Sequence, residues 1–195
     1  MTIPLPSLTE YRRVSLAAMF IALLITVGIT LAFIPNLELV TATAFLTGYA
    51  LGPRWGWWVA GLAEAIFSAV NPLGSGLAFP LMYMLQITAI AITGLTGGLF
   101  TMLRNQTPAG LPVRILMSFV GVSLALMYDF FTAISFPLTA GLGGWSLITT
   151  VGLGMGFFLV HIVVNGILFF SIVPGVMCLI SRQLEYHGIV HRASV

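Results

Sequence analysis

Residues 113–137 read VRILMSFVGVSLALMYDFFTAISFP, and between Ile115 and Phe136 the one charged side chain is Asp129. A run of this length and polarity is that of a membrane-spanning helix, which needs about 20 mainly apolar residues to cross a hydrocarbon core of about 30 Å. At about 1.5 Å per residue from Arg114, Asp129 falls roughly 22 Å along the helix, in the outer part of that core. A carboxyl at such a depth is costly in lipid, so it faces a protein interior or a wet cavity and marks a candidate site. The plainer alternative is a hydrogen bond between helices from a buried carboxyl.

The rest of the composition agrees with a membrane setting. Charged residues make up 6% of the chain and hydrophobic residues 59%, with a mean hydropathy of +1.09, far from the balance of a soluble domain. All seven basic residues are arginine and they are scattered, so the formal charge of +2 supplies no basic patch for nucleic acid. The single Cys178 has no ligand-spaced partner and carries no disulfide, redox or metal argument. The first apolar run follows Arg12 and Arg13 and lacks a small-residue cleavage site, so it reads as a retained helix.

Turn and breaker residues divide the chain into approximate helices over 12–34, 38–51, 55–70, 77–103, 113–136 and 146–180. The breaks fall at Pro35-Asn36, Gly52-Pro53-Arg54, Asn71-Pro72-Leu73-Gly74, the polar stretch 104–112 and the glycine-rich loop after Pro137. Pro174 is expected to kink the last helix. The fold expected is all-α, one bundle of six transmembrane helices spanning 1–195. Arg12, Arg13, Arg54, Arg104, Arg114, Arg182 and Arg192 then share one side, while the opposite connections hold no Lys or Arg. The positive-inside rule makes that side, with both termini, cytoplasmic, with Trp55, Trp57 and Trp58 as an aromatic belt at the boundary. No internal repeat supports an inverted-repeat transporter.

Small residues recur at helical contact spacing: Ala18 and Ala22; Gly48, Gly52 and Gly56; Gly94 and Gly98; Gly152 and Gly156. Such pairs let helix backbones approach closely in lipid, most often as internal packing. The polar residues of the outer half and interior are Glu38, Glu64, Asn71, Gln86, Asp129, His161 and Asn165, with Tyr128 and Trp145 beside them. Glu38 suits the positive end of a helix dipole as well as it suits a ligand. Glu64, near mid-depth, suits a helix-to-helix hydrogen bond equally. His161 and Asn165 are four apart and share a helix face, as bundle hydrogen bonders or as ligand contacts. That pair offers one good metal ligand, too few for a first-row metal. His187 and His191 lie in the tail and read as solvated.

Catalysis finds little footing. Tyr128-Asp129 has the look of the Tyr-Asp pair of intramembrane aspartyl proteases, but that chemistry needs a second aspartate and Asp129 is the chain's only one. No nucleophile elbow, zinc-protease helix or phosphate-cradling loop is present, so neither an enzyme nor an ATPase is expected.

Ile34-Pro35-Asn36-Leu37-Glu38-Leu39-Val40, followed by Gly48, Gly52-Pro53-Arg54-Trp55-Gly56, Gly61 and Asn71-Pro72-Leu73-Gly74, resembles the substrate-binding S components of energy-coupling factor (ECF) transporters. The likeness covers nearly the whole chain in size, six-span layout and cytoplasmic ends. It implies a multi-pass protein of a prokaryotic cytoplasmic membrane that binds a vitamin-like micronutrient. It also implies a transmembrane coupling subunit and two ATPase subunits as partners, with ATP hydrolysis residing in the latter. The family's Ala-x-x-x-Ala docking pattern on the first helix matches Ala18 and Ala22, and its outward pocket maps to Asn36, Gln86, Asp129, His161 and Asn165. Metal-binding relatives expose a histidine directly after the initiator Met, whereas Thr2 stands here, which disfavours free nickel or cobalt. Two other classes compete: a stand-alone proton- or ion-coupled carrier using Glu64, Asp129 and His161, and a structural membrane partner without a ligand.

With every arginine assigned to the cytoplasmic side, an outward pocket holds carboxyls, His161 and uncharged groups but no obligate cation. A neutral or cationic ligand is therefore expected over folate, biotin or pantothenate, although helix N-termini and backbone amides can also hold anions. The topology is checked by single-cysteine labelling in a Cys178-free background. An impermeant reagent outside should modify positions 73–75 and 142–145 but not Gln106 or Ser194, and the reverse pattern contradicts the orientation.

Overall fold

The computed structural model describes residues 10–34, 39–103 and 110–186, and its regular elements are all helical. Of the residues singled out above, Thr2, Pro35, Asn36, Leu37, Glu38, Arg104, His187, His191 and Arg192 lie outside the described residues. The helices are α1 (Glu10–Leu31), α2 (Val40–Leu51), α3 (Pro53–Ala69), α4 (Pro80–Leu99), α5 (Leu111–Thr139), α6 (Trp145–Leu153), α7 (Met155–Ser171) and α8 (Val173–Tyr186). Short 3-10 turns at Gly76–Ala78 and Phe100–Leu103 flank α4.

Among the described residues three helices are long and apolar enough to cross a membrane: Tyr11–Leu31, Pro80–Leu99 and Leu111–Thr139. The pair Trp145–Leu153 and Met155–Ser171 makes a fourth if its 52° bend lies within one span. Helices α2 and α3, at 12 and 17 residues, fall short of the roughly 20 residues that a straight crossing takes.

Turn chemistry sets the boundaries. Gly52 alone joins α2 to α3: its φ of 91° is open to glycine, its N–H donates to the Gly48 carbonyl at 2.7 Å, and Pro53 follows at the first helical position. Asn71 Oδ1 accepts from the Leu73 N–H at 2.9 Å, closing the turn expected at 71–74.

The single helix expected over 146–180 is instead three. The first break centres on Gly154, in a run where Gly152 and Gly156 also lack a β-carbon to resist bending. The second falls at Ile172, two residues before Pro174, where a kink was expected. Proline there has no N–H to give the Phe170 carbonyl four residues back. Arg114 of α5 supplies the missing donor, its Nη1 lying 3.2 Å from Phe170 O and 3.4 Å from Ser171 O.

Packing follows the small residues. A β-carbon on Gly48 or Gly56 would collide with the Gly94 carbonyl, one on Gly94 with the Gly56 carbonyl, and one on Gly98 with Pro53. The backbones of α2, α3 and α4 therefore meet almost directly, which in lipid replaces the hydrophobic drive of water. Around this contact Leu24, Val40, Ala44, Ala60, Ala63 and Ile90 form one buried cluster. A second, with Phe45, Tyr49, Met117, Leu124, Phe169 and Met177, ties α2 to α5, α7 and α8, and Tyr49 Oη lies 2.8 Å from Ser181 Oγ.

Two of the expected glycine contacts are corrected. Gly52 serves the turn, and among the described residues nothing stands within 4 Å of where its β-carbon, or that of Gly152 or Gly156, would lie. Spacing on one helix marks a smooth face, and only the fold decides whether a second helix lies against it. On α1, Ala17 is buried while Ala18 and Ala22 are exposed.

Gly94→Ala should therefore destabilise the protein by about 1–3 kcal/mol, because backbone must move to admit the methyl group. Gly156→Ala, in open space, should be neutral or slightly stabilising. Thermal unfolding of both variants in nanodiscs measures this, and equal shifts would contradict the α2–α3–α4 contact.

Candidate ligand site beside a buried Asp-His pair

Helices α5 and α7 run antiparallel, with Arg114 meeting Phe170, Ser118 Oγ donating to the Gly166 carbonyl at 3.0 Å, and Asp129 meeting His161. Gly121 keeps the helices close, because a β-carbon there would strike the Phe169 ring. This register brings Asp129 Oδ1 to 2.8 Å from His161 Nδ1. Asp129 is 7% exposed, His161 3% and Asn165 0%. One turn further along α7, Asn165 Nδ2 donates to the His161 carbonyl at 3.1 Å, which orients the amide and turns its Oδ1 away from that bond.

Gln86 enters from α4. Its Oε1 accepts from Ser68 Oγ of α3 at 2.9 Å, and its Nε2 donates to Tyr128 Oη at 3.1 Å. The Tyr128 ring stands edge-on to the His161 ring, with centroids 5.9 Å apart and planes at 72°. A polar chain thus runs from Ser68 through Gln86 and Tyr128 to His161, Asp129 and Asn165, crossing α3, α4, α5 and α7. Of the five residues expected in the pocket, four belong to this chain, and Asn36 lies outside the described residues.

A cavity of about 270 Å³ lies where α4 begins and α5 ends, lined by Phe79, Met82, Ser135, Phe136, Thr139 and Ala140. It shares the α4–α5 seam with the polar groups. Phe79, Met82 and Gln86 are spaced i, i+3, i+7 along α4, and Asp129, Thr132, Phe136 and Ala140 repeat that spacing along α5. Phe136 is about two turns, or roughly 10 Å, from Asp129. The wall is mostly apolar, and its hydroxyls are engaged: Ser135 Oγ donates to the Thr132 carbonyl and Thr139 Oγ1 to the Ser135 carbonyl. A ligand there would meet aromatic and thioether surface, with the polar chain about two helical turns further along the same α4–α5 seam.

Sequence reasoning missed Ser68 and the cavity wall. Ser68 is a hydroxyl in an apolar helix, one of many, and its bond to Gln86 depends on how α3 and α4 are paired. The hydroxyls at Thr132, Ser135 and Thr139, spaced one turn apart beyond Asp129, were a readable polar stripe. Glu64 is buried at 3% exposure on α3. Among the described residues no three His, Cys, Asp or Glu side chains converge within reach of one metal ion.

No family model matches this chain, and no curated protein or solved structure matches it either.

The Asp129–His161 bond is expected to hold α5 against α7. In a double-mutant cycle of Asp129→Ala and His161→Ala, unfolding in nanodiscs should give a coupling energy of about 0.5–2 kcal/mol. Strict additivity would show that the bond contributes nothing to the fold.

Proposed function

We propose that this protein is the substrate-binding component of an ECF-type transporter, taking up a neutral or cationic vitamin-like molecule while partner subunits hydrolyse ATP. The observation that carries the reading is the buried Asp129–His161–Asn165 chain, with an apolar-walled cavity about two helical turns from Asp129 along α5. Carboxyl, imidazole and amide groups at membrane depth, each taken from solvent, are retained where they serve a ligand or ion path.

In this reading the chain crosses a prokaryotic cytoplasmic membrane six times, with both ends inside. The shorter α2 and α3 count as crossings, accommodated by local thinning of the bilayer. The cavity end of α4 and α5 then faces out, away from Arg54 and Arg114. The exposed Ala18 and Ala22 on α1 leave a shallow face for a helix of the coupling subunit. The contact between Asp129 and His161 also favours a second reading, a stand-alone proton-coupled carrier, because two titratable groups in direct contact can pass a proton. Uptake that persists in cells depleted of ATP but collapses with the proton gradient selects that one.

Binding to the purified protein of a vitamin panel graded from anionic to cationic tests the proposal. A neutral or cationic member should bind selectively, and Asp129→Asn should weaken it by about tenfold or more. Tight binding of a carboxylate vitamin, unchanged in Asp129→Asn, would remove both the charge preference and Asp129 from the site.

A further inference from the structure

The polar groups at the inner end of the cavity seam are unevenly matched. Asp129 Oδ1 is taken up by His161 Nδ1, and Asn165 Nδ2 by the His161 carbonyl. Two buried oxygens remain, Asp129 Oδ2 and Asn165 Oδ1, and neither has a hydrogen-bond partner among the described residues. Both are acceptors where the Asp129–His161 pair shares a single proton along its Nδ1–Oδ1 contact. If the imidazole donates, Asp129 Oδ2 belongs to a carboxylate; if the carboxyl donates through Oδ1, Oδ2 is its carbonyl oxygen. Asn165 Oδ1 is the carbonyl of an amide whose nitrogen is already committed.

A buried acceptor without a donor is disfavoured, and native interiors rarely keep one unless something else completes it. Here two such acceptors belong to residues that both bond His161, Asp129 of α5 to its ring and Asn165 of α7 to its carbonyl. The α5 stripe that carries Asp129 leads outward through Thr132 to Phe136 in the cavity wall. Phe79, Met82 and Phe136 offer that cavity flat, polarisable surface suited to a ring.

Resting on the reading of this seam as a binding site, we infer that its ligand is a planar nitrogen compound. It presents a donor-rich edge, an amidine or an amino group beside a ring N–H, to Asp129 Oδ2 and Asn165 Oδ1. The selection is for N–H groups, so a cation without them is refused along with an anion. A carboxylate or phosphate would add acceptors where acceptors already stand unmatched.

Four probes of similar size separate the possibilities: benzamidine, benzamide, benzoate and trimethylphenylammonium. The first has donors and positive charge, the second donors alone, the third neither, and the fourth charge without any N–H. Their binding to the full-length protein in nanodiscs is measured by ligand-observed NMR, with the unfolding temperature recorded alongside. Benzamidine should bind most tightly and benzamide about tenfold more weakly, with benzoate and trimethylphenylammonium at least about another tenfold below. Asp129→Asn, which can turn a donor toward the ligand, should narrow the gap between benzamidine and benzoate by about tenfold or more. The wild-type order decides the matter by itself if that variant does not fold.

Trimethylphenylammonium binding as tightly as benzamidine would overturn the inference, because charge alone would then be read. Benzoate binding equally well would overturn it too. In both of those outcomes the binding-site reading stands. Failure of all four probes to bind a folded protein would overturn the inference and the binding-site reading together.

Discussion

A carboxyl placed in an apolar interior must find a partner, and Asp129 finds it in His161, Oδ1 against Nδ1 at 2.8 Å. Moving an ionised or strongly polar group out of water costs several kcal/mol, so the geometry around such a group is narrowly restricted. Much of the α5–α7 half of the bundle obeys this restriction. Gly121 lets the backbones approach, the register pairs residue 129 with 161, and Asn165 fixes the carbonyl of the same histidine. Tyr128 carries the constraint on to Gln86 and Ser68 through its ring contact with His161, so that four helices share one chain of polar and aromatic contacts.

The other half of the molecule is held by a different means. Helices α2, α3 and α4 meet through Gly48, Gly56, Gly94 and Gly98 with scarcely a side chain between them. In a lipid environment apolar surface gains little by leaving the solvent, and close contact between smooth backbones does the holding. The two halves are sealed by Phe45, whose ring meets Phe169 edge-on at 5.3 Å. Each half leaves something unfilled: the exposed Ala18 and Ala22 face on α1, and the cavity between the ends of α4 and α5.

How much of this could be read beforehand depends on whether the signal was local. Asp129 stood out because it interrupts an apolar run, and His161 with Asn165 because four residues make one helical turn. Gly52-Pro53 and Asn71-Pro72 announced their turns through backbone chemistry alone. The partners of Gln86 were not legible, since Ser68 and Tyr128 lie 18 and 42 residues away and are brought in by helix pairing. The break at Gly154 was hidden within a continuous apolar stretch, and Gly152 with Gly156 mimicked a packing pair although no helix among the described residues lies against them. Arg114 was read as a charge that orients the chain. It also gives a hydrogen bond to the carbonyl that Pro174 leaves without a helical donor, and this needs the three-dimensional pairing of α5 with α7.

A small molecule held in the seam between Phe79, Phe136 and Asp129 is the central expectation. The most direct measurement is mass spectrometry of whatever remains bound when the protein is purified gently from its native membrane. One neutral or cationic nitrogen-rich compound is expected at close to one per chain, and its loss when Asp129 is replaced by leucine in protein that still folds. A carboxylate or phosphate compound at that stoichiometry, or no small molecule retained by folded protein even after its medium is supplemented with candidate vitamins, would contradict it.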